Sequence, residues 1–254
     1  MNRKVSLFST PSKRDLISRL MPGFSGHILD QIVQAASLTK VRRADILMRE
    51  GEVVTTFGHV IDGTLGMVRA LPHGKPHIMG LLLPGDAFGR IFDGPMPHSV
   101  EALTDAVVLN IDRDTYEAAL SDMPAAEHAL IASMIGDLDA ARAWVLVLGS
   151  AHVVERVAAF LEILVQRQQT HGAIGQSKPV TLRLPLGRKD LARCLGIRPE
   201  SLSRAIHRLE KQGIIEIVTA NILRVPDPKA LIAASGGAFD ITAKSTVQAR
   251  AGTG

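Results

Sequence analysis

The spacing of apolar and polar positions changes along the chain, and the changes mark its parts. Residues 12–38 follow a helical spacing in "SKRDLISRLM" and "HILDQIVQAASL", which predicts two short helices separated by the turn "PGFSG". From about Lys40 to Asp112, short apolar runs are punctuated by glycine, as is typical of turns between short strands. This second part is predicted to form a small antiparallel β-roll.

A long helix is predicted after the β-roll. It begins near Pro124, because proline is favoured in the first turn of a helix, and it runs to about Leu148. Apolar residues recur on it at steps of three and four, so the stripe either packs on its own domain or joins two chains side by side. The predicted dimer seam comprises Leu130, Met134, Leu138, Ala141, Val145 and Leu148.

The C-terminal part carries the pattern of a winged helix-turn-helix. The stretch "LGRKDLARCLGI" predicts a helix that places Cys194 toward the core and ends at Gly196, and Pro199 can open the next helix. Two helices joined by a tight glycine turn form a helix-turn-helix, whose second helix enters the major groove of DNA. The stretch "IIEIVTANILRV" predicts the hairpin that would form the wing.

These patterns together predict an α+β fold. Residues 1–120 form an N-terminal antiparallel β-roll domain with flanking helices, and residues 121–149 form a dimerisation helix. Residues 150–232 form the C-terminal winged helix-turn-helix domain. The small, polar composition of residues 233–254 favours a disordered tail.

Positive charge is concentrated in the predicted helix-turn-helix. From Lys178 to Lys211 nine Lys and Arg residues stand against three acidic residues, so this window carries a net charge of +6 and the remainder −2 (4 − 6). A basic module on a nearly neutral body indicates an anionic partner, here double-stranded DNA. A solvated charged face is the alternative.

The second helix of the module places an acid, a hydroxyl and a guanidinium on one side, opposite its apolar residues. Arg204 can donate two hydrogen bonds to guanine, while Glu200 can accept one from cytosine and can orient Arg204 one turn away. Ser203 is short enough to contact several base edges. An ordinary surface helix with an ion pair is the alternative. The predicted phosphate contacts are Arg188, Arg198, Ser201 and His207.

Several classes of function are disfavoured. Cys194 is the only cysteine, so one chain can form no disulfide, cysteine zinc site or cysteine-ligated iron–sulfur cluster. Apolar runs are too short for a signal peptide or a membrane span, and a cytoplasmic protein without membrane, metal or cofactor is expected. The chain has no P-loop, GxSxG or HExxH motif, so no enzymatic activity is expected.

Over residues 14–232 the order of motifs resembles the CRP/FNR family of bacterial transcription regulators. The stretch "EGEVV…VIDGTLGMV…HGK…LLLPGDAFG" resembles its cyclic-nucleotide-binding-like β-roll, and "ESLSR" resembles its recognition helix. Ser203 directly before Arg204 resembles the FNR/FixK branch, whose sites are TTGAT…ATCAA-like palindromes. The resemblance implies a homodimeric, sequence-specific regulator with DNA and RNA polymerase as partners.

Departures from the family pattern concern the signal that the roll would receive. Cyclic-AMP-binding rolls carry Glu after "FG" and an Arg-Ser or Arg-Thr pair, whereas this chain has Arg90 and His98-Ser99, which disfavours cyclic-nucleotide binding. The family's iron–sulfur cysteines are absent, and Ile91 stands where its CO sensor has a haem ligand. A FixK-like regulator without a recognisable cofactor is expected. A haem- or small-molecule-responsive regulator, with His73 and His77 in one loop, and a cyclic-nucleotide-binding module remain alternatives.

Overall fold

The computed structural model describes residues 12–70, 76–171 and 179–236. The chain divides between Leu138 and Asp139 into two compact units. The first unit contains α1 Lys13–Leu20, α2 Gly26–Ala35, β1 Ser37–Val41, β2 Ile46–Met48, β3 Thr56–Asp62, β4 Leu65–Arg69, β5 His77–Leu82, β6 Ala87–Gly89, β7 Ser99–Ala102, β8 Ala106–Asp112 and α3 Arg113–Ser121. Helix α4, Pro124–Gly149, contributes residues to both units. The second unit continues with α5 Val153–His171, β9 Val180–Arg183, α6 Arg188–Cys194, α7 Pro199–Lys211, β10 Glu216–Thr219, β11 Ile222–Val225 and α8 Pro228–Ala234.

The strands of the first unit form two antiparallel four-stranded sheets, in the orders β1-β8-β3-β6 and β2-β7-β4-β5. Side chains from both sheets meet between them, and Val60, Leu65 and Val100 are fully buried there. Because neighbouring residues of a strand point to opposite faces, each sheet also has an outer face. The predicted β-roll is confirmed.

The outer face of the first sheet is covered by helices. Phe57 of β3 packs there with Ile17 of α1, Ile32 of α2 and Tyr116 of α3. The helical pattern predicted through residue 38 was wrong at its end, because α2 stops at Ala35 and β1 starts at Ser37. Pairing of β1 with β8 satisfies the backbone groups of these residues, which helical periodicity alone could not show.

Helix α4 starts at Pro124 and ends at Gly149, in agreement with the predicted start and within one residue of the predicted end. Among the described residues, no helix is both long and apolar enough to cross a bilayer. The assignment of residues 121–149 as a separate dimerisation segment stays a prediction.

The second unit contains the predicted helix-turn-helix and hairpin, and it adds a strand that the sequence pattern did not predict. Strand β9 completes a three-stranded sheet in the order β10-β11-β9. In β9, Val180 and Leu182 are buried while Thr181 and Arg183 are exposed. This alternation was present in the sequence, but it covers only four residues beside a polar loop.

The predicted disorder from residue 233 was wrong at its beginning. Helix α8 runs to Ala234, and the Ser235 side chain is buried, with its Oγ 2.5 Å from Oε2 of Glu162 on α5. This buried hydrogen bond attaches Ser235 to α5, so the packed fold extends to Ser235. Residues 237–254 lie outside the described residues.

Candidate nucleic-acid interface

Helices α6 and α7 are joined by a tight turn of the kind that a helix-turn-helix requires. Gly196 has a φ of +64°, a left-handed conformation that glycine adopts without steric cost. The Ile197 amide donates to the Ala192 carbonyl over 3.0 Å, which closes the end of α6. Pro199 occupies the first turn of α7. The predicted helix end and helix start are both confirmed.

One side of α7 is fixed by burial. Leu202, Ala205, Ile206 and Leu209 are each at most 2% exposed, and burying a large aliphatic side chain is worth roughly 1.5–3 kcal/mol. This apolar anchor determines which residues of α7 face solvent.

Cys194 of α6 is likewise buried, as expected from its helical phase, and burial raises the pKa of its thiol to about 12. A thiol with this pKa forms little of the reactive thiolate at neutral pH.

The opposite side of α7 presents the residues predicted to contact bases. Glu200 and Arg204 are exposed, and Ser203 is half-buried. The Arg204 Nη2 donates to Oγ of Ser201 over a long 3.4 Å. In the described part of the chain no ion pair joins Glu200 to Arg204, so the expected orientation of the guanidinium by Glu200 is not present. Such an exposed pair gains little free energy in water, since solvent screens it.

The last turns of α7 are attached to the wing hairpin. Nδ1 of His207 lies 3.3 Å from Oε2 of Glu210, and Oε1 of Glu210 accepts a hydrogen bond from the Ile217 amide of β10 over 3.3 Å. Glu210 therefore connects His207 on the exposed side of α7 to the hairpin. At the other end of α7, the predicted phosphate ligand Arg198 is exposed.

Arg188 has a contact that sequence reasoning missed. It is the first residue of α6, and its Nε donates to the carbonyl of Ala220 in the hairpin turn over 3.1 Å. Burial lowers the pKa of the half-buried Arg188 side chain. The structure thus brings the start of α6 and the tip of the wing together, 32 positions apart in sequence.

Replacing Arg188 by alanine is expected to weaken binding to all DNA duplexes to a similar degree. If the guanidinium neutralises one phosphate, the slope of log affinity against log salt falls by about one unit. Fluorescence anisotropy at several salt concentrations measures both quantities, and Arg49→Ala in the first unit is the control for the same charge loss. A weaker complex with an unchanged slope would show that Arg188 only braces the wing.

The described residues contain no cluster of three or more His, Cys, Asp or Glu side chains that could hold a metal ion. Of the two histidines that the sequence places in one loop, His77 begins β5 and His73 lies outside the described residues.

Comparison with known proteins agrees with this architecture. Residues 38–122 match the cyclic nucleotide-binding domain family, and residues 155–234 match the Crp-like helix-turn-helix domain family. The transcriptional activatory protein AadR of Rhodopseudomonas palustris is 31% identical over 185 residues, which cover 73% of this chain and 75% of AadR. The chain belongs to the CRP/FNR family. It is a DNA-binding transcription regulator and not an enzyme.

Other relatives of this CRP/FNR regulator point to the FixK-like branch. The nitrogen fixation regulation protein FixK of Bradyrhizobium diazoefficiens is 30% identical over 178 residues, 70% of this chain and 73% of that protein. The structure of FixK2 from Bradyrhizobium japonicum is similar with a TM-score of 0.66 and 28% identity, covering 78% of this chain and 96% of that one.

Arg90 and the His98-Ser99 pair stand in the β-roll where cyclic-AMP-binding members of the family carry other residues, and the structure shows what each of them contacts. Arg90 follows β6, and its Nη2 donates to the Asp93 carbonyl over 3.4 Å. Ser99 accepts a hydrogen bond from the Glu50 amide over 3.0 Å. His98 is half-buried, and this burial lowers its pKa, so the neutral ring lacks the charge of the family's phosphate-binding arginine. Weak or absent cyclic-nucleotide binding stays a prediction.

Proposed function

We propose that this regulator binds a TTGAT…ATCAA-like palindrome as a homodimer, with Glu200, Ser203 and Arg204 contacting bases. The observation that carries the proposal is the orientation of α7. Its four buried apolar residues leave Glu200 and Arg204 exposed together on the opposite side. A guanidinium reads guanine and a carboxylate reads cytosine in the major groove, so this face has the chemistry of a base-reading helix.

The sequence-independent part of the affinity would come from residues around this face. Arg198 and His207 are exposed. Ser201, three residues after Arg198, is half-buried, and so is Arg188, which contacts the wing at Ala220. All four can donate hydrogen bonds to phosphate oxygens, and such contacts position a protein on DNA without selecting a sequence. RNA polymerase would be the further partner of the DNA-bound dimer.

Exposed apolar residues on α4 support the homodimer. Six large side chains of this helix are between 50% and 69% exposed, an unusual amount of apolar surface for a helix in water. Within the predicted dimer seam, Met134, Leu138 and Val145 are among them, Ala141 is exposed, and Leu130 and Leu148 are half-buried. The remaining exposed apolar residues are Ile131, Ile135 and Leu146.

The spacing of the two half-sites tests the proposal without any substitution. A two-fold symmetric dimer places its recognition helices about one DNA turn apart, roughly 34–36 Å. Inserting about five base pairs between the half-sites turns one of them to the opposite side of the duplex. We expect this insertion to reduce affinity to that of a single half-site, as measured by fluorescence anisotropy. Unchanged affinity would contradict binding as a two-fold dimer.

Binding-site selection from random duplexes tests the sequence itself. Recovery of paired TTGAT-like half-sites is expected. Recovery of an unrelated motif would overturn the proposed palindrome while leaving DNA binding intact.

A further inference from the structure

The first unit contains a cavity of about 370 Å³ on the helix-covered face of the first sheet. Its walls come from the end of α1, from β3, from β6 and the residues after it, from α3 and from the first half of α4. It lies mainly on the side of the first sheet away from the core between the two sheets, because Phe57 and His59 of β3 face it while Val60, next to His59, belongs to that core. Phe88 belongs to the same core and borders the cavity as well. The volume is at the small end of the range for small-molecule sites, about 300–1,000 Å³.

His59 offers a hydrogen-bond acceptor in this cavity. The ring is only 6% exposed, and its Nδ1 lies 3.2 Å from the Gly85 carbonyl. A carbonyl oxygen only accepts, so Nδ1 carries the proton and Nε2 keeps its lone pair. Burial lowers the pKa of His59, which maintains this neutral form. Within the described residues Nε2 has no hydrogen-bond partner, so it is available to a ligand that donates an O–H or N–H.

Arg90 offers a cationic group at the same cavity. Its guanidinium makes one long hydrogen bond, to the Asp93 carbonyl, and forms no ion pair among the described residues. The guanidinium lies against Gly94, where an added Cβ would be 3.1 Å from Nη2, so the glycine leaves room for this close approach. Arginine binds carboxylates through two parallel hydrogen bonds. The acidic residue of the lining, Asp137, already interacts with another group.

Aromatic rings are concentrated around the cavity. The whole chain has only nine Phe, Trp and Tyr residues (7 + 1 + 1), and four of them line this space: Phe57, Phe88, Phe92 and Tyr116. Aromatic rings favour aromatic partners in offset or edge-to-face contacts. Phe92 and Met134 are 59% and 54% exposed, so part of the apolar lining is accessible from solvent.

We infer that this cavity binds a small aromatic carboxylic acid that carries a hydroxyl or amine donor. The carboxylate pairs with Arg90, the donor group bonds to Nε2 of His59, and the ring system packs among the phenylalanines. Two fused rings suit a cavity of about 370 Å³. Leu130 and Met134 belong both to this lining and to the predicted dimer seam, so the ligand contacts the helix proposed to hold the dimer together.

Three related compounds test the two polar contacts on the full-length protein. The probe is 6-hydroxy-2-naphthoate, followed by its own fluorescence, and the matched compounds are 2-naphthoate, which lacks the hydroxyl, and 2-naphthol, which lacks the carboxylate. We expect saturable binding of the probe and about tenfold weaker binding of each matched compound, since a charged or buried hydrogen bond contributes that factor. Equal binding of all three, or no saturable binding, would overturn the inference.

Two variants assign the contacts. The Arg90→Gln variant is expected to bind the probe no more tightly than the wild type binds 2-naphthol, because the carboxylate loses its partner. His59→Phe is expected to remove the difference between the probe and 2-naphthoate while circular dichroism confirms folding. If His59→Phe does not fold, the comparison of the three compounds on the wild type decides the donor contact. Arg49→Gln is the control for the loss of an arginine charge elsewhere in the first unit. If Arg90→Gln still prefers the probe over 2-naphthol as strongly as the wild type does, the site is refuted. The measurements use no DNA, so they stand apart from the proposed palindrome.

Discussion

Leu138→Arg is expected to convert the regulator into a monomer that binds its palindrome at least about 100-fold more weakly, because two linked recognition helices gain that much over one. Leu138 lies in the predicted dimer seam and is 50% exposed in the single chain, so the folded monomer tolerates a charge there. In a two-fold seam the substitution brings two guanidinium groups together and buries them without partners, which costs about 3–5 kcal/mol. Sedimentation velocity measures the association state, and anisotropy measures the affinity.

Val53→Arg is the matched control for this experiment. Val53 is 64% exposed in the first unit and lies outside α4, so the same apolar-to-cation change should leave the dimer intact. A Leu138→Arg protein that sediments as a dimer would show that the exposed residues of α4 do not form the seam.

Arg204→Ala and Glu200→Ala are expected to fail in different ways. Loss of the Arg204 guanidinium should weaken binding to the palindrome by about 1–3 kcal/mol and remove discrimination at one base pair. Loss of the Glu200 carboxylate should strengthen binding to unrelated duplexes, because a negative charge near the phosphates disappears, and it should also reduce the preference for the TTGAT-like half-site. Binding-site selection on random duplexes, combined with anisotropy on a fixed unrelated duplex, measures both effects.

Glu127→Ala provides the control, since Glu127 is an exposed acid in the first turn of α4. It should change neither the selected sequence nor the affinity for unrelated DNA. If Glu200→Ala selects the wild-type sequence, Glu200 is a surface residue without a role in base recognition. The absence of a Glu200–Arg204 ion pair in this structure makes the Glu200 experiment a test of direct base contact.

Local signals explain why α4, α6 and α7 could be predicted from the sequence. Pro124 and Pro199 occupy first turns, and Gly196 adopts the left-handed conformation that ends α6. These residues act through their own backbone geometry, which depends little on distant parts of the chain. The solvent-facing side of α7 was predictable for a similar reason, because the four apolar positions opposite it recur with the helical period and all four are buried.

Features that depend on distant partners could not be predicted. Strand β1 takes its form from pairing with β8 although its sequence continues a helical spacing. Ser235 joins the core because its hydroxyl donates a hydrogen bond to the Glu162 carboxylate on α5, although the surrounding composition favours disorder. In both cases a contact between residues more than 60 positions apart outweighs the local preference.

The sequence by itself determined the family, the β-roll and the position of the recognition helix, because periodicity, proline and glycine signals and motif order are written within short stretches. Only the tertiary structure decided which exposed side chains act together. It placed Arg188 against the wing at Ala220, and it surrounded one cavity with His59, Arg90 and four aromatic rings from separate elements. The physical reason is that such groupings arise from packing between elements, whose geometry no local pattern of hydrophobic and polar residues specifies.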